Sequence, residues 1–442
     1  MKAAEWADVP LGDITIWQGG SAFSPVLQGR SAGDIPFYKV SDMNSPANGW
    51  SMTQANNYVD ESDRNMISGG PKPKGSVVFP KVGAAIHTNK KRQLSRPAFI
   101  DNNMMAVWPI DPDRCLPEFL YAFFLNIDLS GLANAGPLPS INGSRLRELV
   151  VALPPPQEQR QLVTVFSGLR SSLELEGRLF SAAQDLKRAA MRELFTRGLR
   201  GEAQKETEIG LVPESWGVVP FSAVRQWLQY GISTRCSPEP QQYPVLRIPN
   251  IEPCRVNVSA LKYCGLPDKE AEKYLLADGD LIFIRTNGVI ERLGSCAVYS
   301  GQPERALFAS YLIRARLNQD VDSRYIAFFF GSEVGTALVA GRATPAADGK
   351  YNLNTGTIDS LPLPLPPTLD EQREIVAILD ALDRKIDLHR RKRAVLEELF
   401  KALLHKLMTG EIRVSDLDLS VLEPRCRPAD SGPVGEKDDF GT

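Results

Sequence analysis

The sequence is poor in the residues and motifs on which most enzyme active sites depend. Its 442 residues include only three histidines and six cysteines, and no two cysteines stand in a Cys-x-x-Cys pair. This argues against a structural zinc site, which usually needs closely spaced Cys and His ligands. Phosphate-loop, dinucleotide-binding, metalloprotease and nucleophile-elbow motifs are absent as well. We therefore expect no catalytic residue, no metal site and no cofactor in this chain.

Long apolar segments are also absent. No run of about 18 apolar residues occurs, so no membrane helix is predicted. Residues 1–6 lack the apolar core of a signal peptide. A net charge of −2 argues against nonspecific coating of nucleic acid, although a local basic loop can still bind phosphates. These features predict a cytoplasmic protein with reduced cysteines and no membrane partner.

What the sequence does contain is an apolar heptad pattern in two long segments. In each, apolar residues recur at alternating steps of four and three, the pattern of a coiled-coil seam. The predicted seam comprises Leu162, Phe166, Leu169, Leu173, Glu176, Phe180 and Leu194 in the first segment, and Ile375, Leu379, Leu382, Ile386, Arg393, Phe400 and Leu407 in the second. A helix of about 40 residues is about 60 Å long, and it needs a partner to cover so narrow a seam. We therefore predict that the two helices pack against each other.

The two segments are copies of each other. A Glu-Gln-Arg run at 158–160 returns at 371–373, and the apolar positions that follow keep the same spacing. The regions before the helices also match in order, since the β-like run at 75–79 is matched by another at 279–283. This predicts an α+β protein in which two tandem mixed α/β domains are separated by two long antiparallel coiled-coil helices, with a pseudo-two-fold internal repeat.

The predicted boundaries follow the proline-rich stretches and the ends of the heptad pattern. They are 1–156 for the first domain, 157–198 for the first long helix, 199–367 for the second domain, 368–410 for the second long helix and 411–442 for a disordered tail. In an antiparallel pair, facing residues should have numbers that sum to about 569. That register places Glu176 opposite Arg393.

Basic loops follow equivalent β-like runs in the two predicted domains. Arginine and asparagine can recognise guanine and adenine edges, and lysine typically contacts phosphates. The candidate DNA-binding residues are Lys81, Lys90, Lys91 and Arg92 in the first domain, Arg285, Thr286, Asn287 and Arg292 in the second, and the weaker candidates Lys39 and Arg247 at matching strand ends. The alternative for each loop is a solvated charged surface. Equivalent loops in both halves favour binding to double-stranded DNA of bipartite, asymmetric sequence.

The sequence resembles the DNA-specificity (S) subunit of Type I restriction-modification systems, from Glu5 to about Arg413. The marks are the proline-rich strand before each Glu-Gln-Arg run and the endings Leu-Phe-Thr at 194–196 and Leu-Met-Thr-Gly at 407–410. The resemblance implies two target-recognition domains, a non-catalytic role in a restriction system, and assembly with two methyltransferase (M) subunits and with motor-nuclease (R) subunits. S-adenosylmethionine, ATP and magnesium would then belong to those partners.

Two other classes of function stay open at this point. The chain could be the specificity component of a different methylation or phage-defence complex, which its neighbouring genes would indicate. It could also be a tandem-domain adaptor that binds proteins. In that case, alanine substitutions in the basic loops should leave DNA affinity unchanged.

Overall fold

The computed structural model describes residues 6–134 and 136–417. They divide into two compact units: the first unit runs to Glu176 and resumes at Lys392, and the second unit is Gly177–Arg391. The division therefore falls inside each long helix, whereas the sequence predicted boundaries at the helix ends. Each unit consists of one globular segment and one part of each long helix.

The first unit is built from short strands around a buried apolar helix. Its strands are β1 (Ala7–Pro10), β2 (Thr15–Gly19), β3 (Ile35–Tyr38), β4 (Ser51–Met52), β5 (Asn57–Val59), β6 (Val77–Pro80), β7 (Arg92–Leu94), β8 (Phe99–Ile100), β9 (Met104–Pro109) and β10 (Val150–Leu153). Its short helices are α1 (Leu11–Ile14), α2 (Pro117–Asn126) and α3 (Gly143–Arg147). One sheet has the order β2-β9-β6-β7-β4, a second has the order β5-β3-β8, and β1 pairs with β10. Helix α2 packs on the larger sheet, where the rings of Phe79 and Phe124 lie 5.5 Å apart.

The second unit follows the long helix α4 (Pro156–Arg197) and precedes the long helix α9 (Leu369–Met408). Its strands are β11 (Gln204–Thr207), β12 (Gly210–Pro213), β13 (Gly217–Pro220), β14 (Arg225–Tyr230), β15 (Tyr243–Leu246), β16 (Ile251–Glu252), β17 (Cys254–Val256), β18 (Lys262–Cys264), β19 (Leu281–Ile284), β20 (Thr286–Asn287), β21 (Cys296–Val298), β22 (Leu307–Phe308), β23 (Leu312–Leu317), β24 (Thr344–Pro345), β25 (Tyr351–Asn352) and β26 (Pro362–Leu365). Its short helices are α5 (Asp268–Ala271), α6 (Ser323–Phe330), α7 (Glu333–Ala340) and α8 (Thr355–Asp359).

The sheets of the second unit repeat those of the first. Its larger sheet has the order β14-β23-β19-β21-β17-β16, a second sheet has the order β18-β15-β22, and β13 pairs with β26. The registers also match, because Pro80 pairs with Met104 in the first unit as Ile284 pairs with Leu312 in the second. The predicted fold class, two tandem mixed domains with an internal repeat, is confirmed.

The long helices bury their heptad positions. Helices α4 and α9 differ from the predicted 157–198 and 368–410 by one or two residues at each end. Every predicted seam residue except Arg393 is buried or half-buried, and Leu162, Ile375, Leu379 and Leu407 are fully buried. Burial of this stripe ties each helix to its globular segment as well as to the other helix, since most of these side chains belong to the main core clusters or pack against them.

Within each unit the helix segments run antiparallel. In the first unit, the rings of Phe166 and Phe400 have centres 6.2 Å apart, and in the second unit, Lys187 Nζ lies 2.6 Å from Asp383 Oδ1. Residue numbers rise along one helix as they fall along the other, and these pairs sum close to the predicted value. The antiparallel register predicted from the heptads is confirmed.

The predicted pairing of Glu176 with Arg393 is wrong by one residue. Lys392 forms the ion pair with the buried Glu176, whereas Arg393 has a half-exposed side chain and donates from Nε to Glu397 at 3.0 Å on its own helix. The Lys392 side chain is itself 59% exposed. A flanking lysine can extend its apolar stem along the helix and bring only its ammonium group to a buried carboxylate.

The repeated Glu-Gln-Arg run has a structural role in both units. Trp6 Nε1 donates to Glu158 at 2.9 Å, and Trp216 Nε1 donates to Glu371 at 3.1 Å. Gln159 is fully buried, and its amide bonds to backbone groups of the segment before α2 and of the proline-rich strand. Hydrogen bonds from a buried amide leave little freedom of orientation, so the run fixes the start of the helix against its globular segment.

The predicted tail begins too early. Residues 411–417 form an ordered turn in which Val414 is buried in the core of the first unit. Arg413 lies 3.5 Å from the Glu158 carboxylate and 5.0 Å from the centre of the Trp6 ring. The other predicted tail residues, 418–442, lie outside the described residues.

Candidate nucleic-acid interface

One corner of the larger sheet in the second unit collects side chains typical of nucleic-acid contact. Strand β14 ends at Tyr230, Arg285 follows β19, and Tyr311 directly precedes β23. These strands are neighbours in the sheet, so residues distant in sequence come together at one edge. Strand β20 directly follows Arg285 and pairs with β25 in a separate small sheet, which adds Asn287 and Lys350, the residue before β25. We term Tyr230, Arg285, Asn287, Tyr311 and Lys350 the second corner.

Arg285 is held on several sides. Its backbone N–H donates to the carbonyl of Tyr311 at 3.1 Å, and its own carbonyl accepts from the N–H of Leu353 at 2.7 Å. Nη1 donates to the carbonyl of Ser310 at 3.2 Å, and the guanidinium carbon lies 4.9 Å from the centre of the Tyr230 ring. Its Nε is buried and has no hydrogen-bond partner in the part of the chain that the structure describes. The guanidinium is therefore positioned while its bonding capacity is only partly used.

Two exposed tyrosines belong to this corner. The exposed fractions of Tyr311 and Tyr230 are 57% and 38%. Lys350 Nζ lies 2.7 Å from Asp348, and that hydrogen bond and charge raise the pKa of Lys350, so its ammonium stays charged. Asn287 accepts from the N–H of Val289 at 2.9 Å through its side-chain oxygen, which orients its amide. Cations interleaved with exposed rings are typical of surfaces that contact phosphates and bases.

The structure brings together two of the four predicted residues of this loop. Arg285 and Asn287 lie in the second corner, and Arg292 is exposed in the turn at 290–292. Thr286 is buried on β20 and is poorly placed for contact with DNA, so its assignment as a DNA-binding residue stays a prediction. Tyr230, Tyr311 and Lys350 were not predicted, because single tyrosines and a single lysine that lie far apart in the sequence form no motif.

The first unit has an equivalent corner with different side chains. Lys81 follows β6, and its backbone N–H donates to the carbonyl of Asn103 at 2.8 Å, the same bond that Arg285 makes in the second unit. Gly19 ends β2, where Tyr230 ends β14, and a Cβ atom at Gly19 would lie 2.8 Å from Lys81 Nζ. Asn102 and Asn103 are exposed. We term Gly19, Lys81, Asn102 and Asn103 the first corner.

Lys91 and Arg92 are poorly placed for the predicted contact with DNA, because their charged groups bond to backbone carbonyls of the chain itself. Lys91 is only 2% exposed, its Nζ donates to the carbonyl of Ile127, and burial lowers its pKa to about 8. Arg92 lies on β7, and its guanidinium donates to backbone carbonyls, including that of Asn48. Lys90 is half-buried, and its Nζ reaches the side-chain oxygen of Asn44. Only Lys90 of this basic run has an ammonium group at the surface.

Lys39 and Arg247 occupy equivalent positions directly after β3 and β15. Lys39 Nζ donates to Gln28 at 3.0 Å and lies 5.4 Å from the centre of the Phe23 ring. Arg247 donates from Nη2 to the carbonyl of Ala260 at 2.8 Å, while its Nε is buried without a partner among the described residues. Both side chains are half-buried and pack on their own loops. Their contact with DNA stays a prediction.

Metal ligands and reactive thiols were the remaining candidates for chemistry in the described residues. No group of three or more His, Cys, Asp or Glu side chains there could hold a metal ion. Cys115 and Cys254 are buried, and burial raises the pKa of each thiol to about 12, which disfavours the reactive thiolate. Across the described ranges, no helix is both long and apolar enough to cross a membrane.

A family model for the Type I restriction modification DNA specificity domain matches residues 3–181 and 232–398, which together make up more than half of the sequence. The chain belongs to this family. The first match contains the whole first corner, and the second contains every residue of the second corner except Tyr230, which lies two residues before it. The resemblance seen in the sequence is therefore confirmed.

Curated members of the Type I specificity family are similar over part of their length. The putative type I restriction enzyme MjaX specificity subunit of Methanocaldococcus jannaschii is 28% identical over 206 residues, 46% of this chain and 48% of that protein. The type I restriction enzyme EcoKI specificity subunit of Escherichia coli strain K12 is 24% identical over 303 residues, 64% of this chain and 62% of that protein. The chain thus spans about half to under two thirds of the length of these relatives.

Solved structures of the Type I family share the fold over nearly the whole chain. The S subunit of a Type I restriction-modification system from M. genitalium has a TM-score of 0.54 at 13% identity and covers 92% of this chain and 97% of its own. A chain from a structure of complex assembly and conformational transition of the type I R-M system has a TM-score of 0.56 at 15% identity, with coverage of 93% and 100%. At these identities the likeness is evidence for the fold alone.

Proposed function

We propose that this chain is a non-catalytic subunit that recognises a bipartite, asymmetric sequence in double-stranded DNA, one half-site with each corner. The observation that carries the proposal is that the corners occupy equivalent positions on matching sheets but present different side chains. Phosphate contacts position a protein on DNA, and contacts to base edges select the sequence. A repeated scaffold with two side-chain sets therefore suits a target whose halves differ.

The partners in this proposal are two methyltransferase (M) subunits and motor-nuclease (R) subunits. Support comes from exposed apolar side chains on the long helices, whose opposite faces are already buried. In the second unit, the exposed fractions of Leu186 and Leu388 are 52% and 62%, and in the first unit those of Val395 and Leu399 are 63% and 42%. Exposed apolar positions on an otherwise charged helix are typical of contact sites for another protein.

The chemistry of the proposed complex belongs to these partners, in the cytoplasm. S-adenosylmethionine, ATP and magnesium would be bound by the M and R subunits, because the described residues of this chain have no metal-ligand cluster, and its sequence has no phosphate loop. This chain would contribute DNA recognition and the placement of the other subunits.

The deciding experiment expresses this chain with its neighbouring methyltransferase and maps DNA methylation in the cells. The proposal expects a bipartite motif with methylated adenines. The double variant Arg285→Ala with Asn287→Ala should alter recognition of one half-site, and Lys81→Ala should affect the other. Sequence-independent methylation, or unchanged binding and motif in both variants, would refute the assignment of the corners to DNA.

Salt dependence separates exposed from buried cations in this proposal. Lys90→Ala and Arg292→Ala should each weaken binding to all sequences and lower the slope of log affinity against log salt by about 1. Lys91→Met is the matched control, because its buried ammonium contacts a backbone carbonyl and should leave the slope unchanged. Equal slopes for all of these variants and the wild type would remove the exposed lysine and arginine from the interface.

A further inference from the structure

We propose that Tyr230 is a positioning residue for Arg285, and that this pair recognises a guanine in the half-site bound by the second corner. The inference rests on the proposed function and makes one part of it specific. The base is guanine, it is contacted at its major-groove edge, and the contact by Arg285 depends on Tyr230.

The hydrogen bonds of Arg285 indicate which donors of the guanidinium are unused. Nη1 is occupied by the carbonyl of Ser310, whereas Nε and Nη2 make no hydrogen bond with the described residues. Those two nitrogens form one side of the planar fork, with parallel N–H groups. Guanine presents two acceptors, O6 and N7, on its major-groove edge, and an arginine fork matches them with two hydrogen bonds.

The ring of Tyr230 supplies the orientation. Its centre lies 4.9 Å from the guanidinium carbon, and its hydroxyl accepts from the backbone N–H of Thr355 at 3.2 Å. The ring is thus fixed at one end by β14 and at the other by the start of α8. A planar cation held beside a fixed ring loses less freedom when it binds a base. Because Nε is buried in this structure, the contact with both guanine acceptors requires the guanidinium to shift until Nε is accessible while it stays against the Tyr230 ring.

The first corner lacks this arrangement. Gly19 stands where Tyr230 stands, and Lys81 stands where Arg285 stands, with its Nζ in the space that a side chain at Gly19 would need. A lysine is a point charge without a fork, so it does not match the two guanine acceptors with fixed geometry. The same backbone position therefore has a forked donor in one unit and a freely rotating donor in the other, which would make the two half-sites respond differently to one guanine change.

The test uses the assembled methyltransferase complex and a duplex carrying its methylome-derived motif. Each guanine of the second half-site is replaced in turn by 7-deazaguanine, which removes N7 and keeps base pairing. A complete bidentate contact corresponds to about a 5- to 150-fold effect, so loss of the N7 hydrogen bond alone predicts a loss of affinity of up to about 150-fold at one position for the wild type. Arg285→Ala should bind more weakly but show no further loss at that position.

Variants at Tyr230 separate positioning from general stability. Tyr230→Phe keeps the ring but loses its hydrogen bond to Thr355, and it should retain most of the sensitivity to 7-deazaguanine. Tyr230→Ala should lose most of that sensitivity while the first half-site stays fully recognised. Arg292→Ala is the charge control, and it should weaken binding without changing the sensitivity. A second half-site without guanine, no sensitive guanine, or full sensitivity in Arg285→Ala would overturn the inference. Failure of the wild type to select any sequence would instead overturn the proposed function.

Discussion

Replacing Asp280 with alanine should destabilise the second unit strongly, because its buried carboxylate neutralises the buried Arg314 and the partly exposed Arg316. Asp280 is 1% exposed, and its two oxygens each accept a hydrogen bond from Arg316 at 2.8 Å. Arg314, also buried, lies 3.8 Å away, and one oxygen also accepts from the N–H of Ala277 at 2.8 Å. Removing one member of a buried ion pair typically costs about 3 to 5 kcal/mol, since the remaining charge stays out of water.

The expected size of the effect differs between the members of this cluster. Arg316→Ala should cost about 1.5 to 3 kcal/mol, because its side chain is one third exposed and Asp280 keeps Arg314 as a partner. Asp185→Ala is the control, since its ion pair with Arg188 on helix α4 is largely exposed and should contribute nothing measurable. The expected loss of stability therefore decreases from Asp280→Ala to Arg316→Ala to Asp185→Ala, in the same order as the burial of the three side chains.

Native-state hydrogen exchange measures these effects unit by unit. For Asp280→Ala, amides of β19 and β23 should exchange about 150- to 5,000-fold faster, which corresponds to 3 to 5 kcal/mol. Amides of β6 and β9 in the first unit serve as the internal reference in the same sample. If Asp280→Ala exchanges no faster in β19 and β23 than Asp185→Ala, the reasoning from the buried cluster is wrong.

Three further predictions concern the first unit. Glu176→Ala and Lys392→Ala should be coupled by about 0.5 to 3 kcal/mol in a double-mutant cycle, and an equal coupling of Glu176→Ala with Arg393→Ala would contradict the observed pairing. Burial lowers the pKa of Lys91 to about 8. The unfolded chain therefore binds more protons than the folded one above that pH. The contribution of Lys91 to stability should rise from about pH 8 to about pH 10.4, and Lys91→Met should remove that rise in urea titrations. Gln159→Leu should lower stability by about 1 to 3 kcal/mol in thermal unfolding by leaving a buried backbone N–H without its partner, and an unchanged melting temperature would exclude the proposed anchoring role.

Much of the architecture could be predicted from the sequence because its causes are local. The heptad pattern is a property of successive residues, so it predicted both long helices to within two residues and their antiparallel register. The predicted partner of Glu176 was one residue off, because side-chain reach depends on how a long lysine lies along the helix surface. The defined turn at residues 411–417 was not predicted, because it depends on the burial of Val414 in a core assembled from distant segments.

The candidate site depends more strongly on the tertiary structure than the architecture does. The sequence by itself indicated two equivalent basic loops, and Arg285 and Lys81 lie at equivalent corners. It could not distinguish Arg285, whose guanidinium is only partly bonded, from Lys91, whose ammonium is buried, because charge is a property of the residue and burial is a property of the fold. Tyr230 and Tyr311 join Arg285 only because β14, β19 and β23 are neighbours in the sheet. Periodicity and repetition are properties of the order of residues in the sequence. Exposure and proximity arise only when distant strands pair, and the site depends on exposure and proximity as well as on the repeated scaffold.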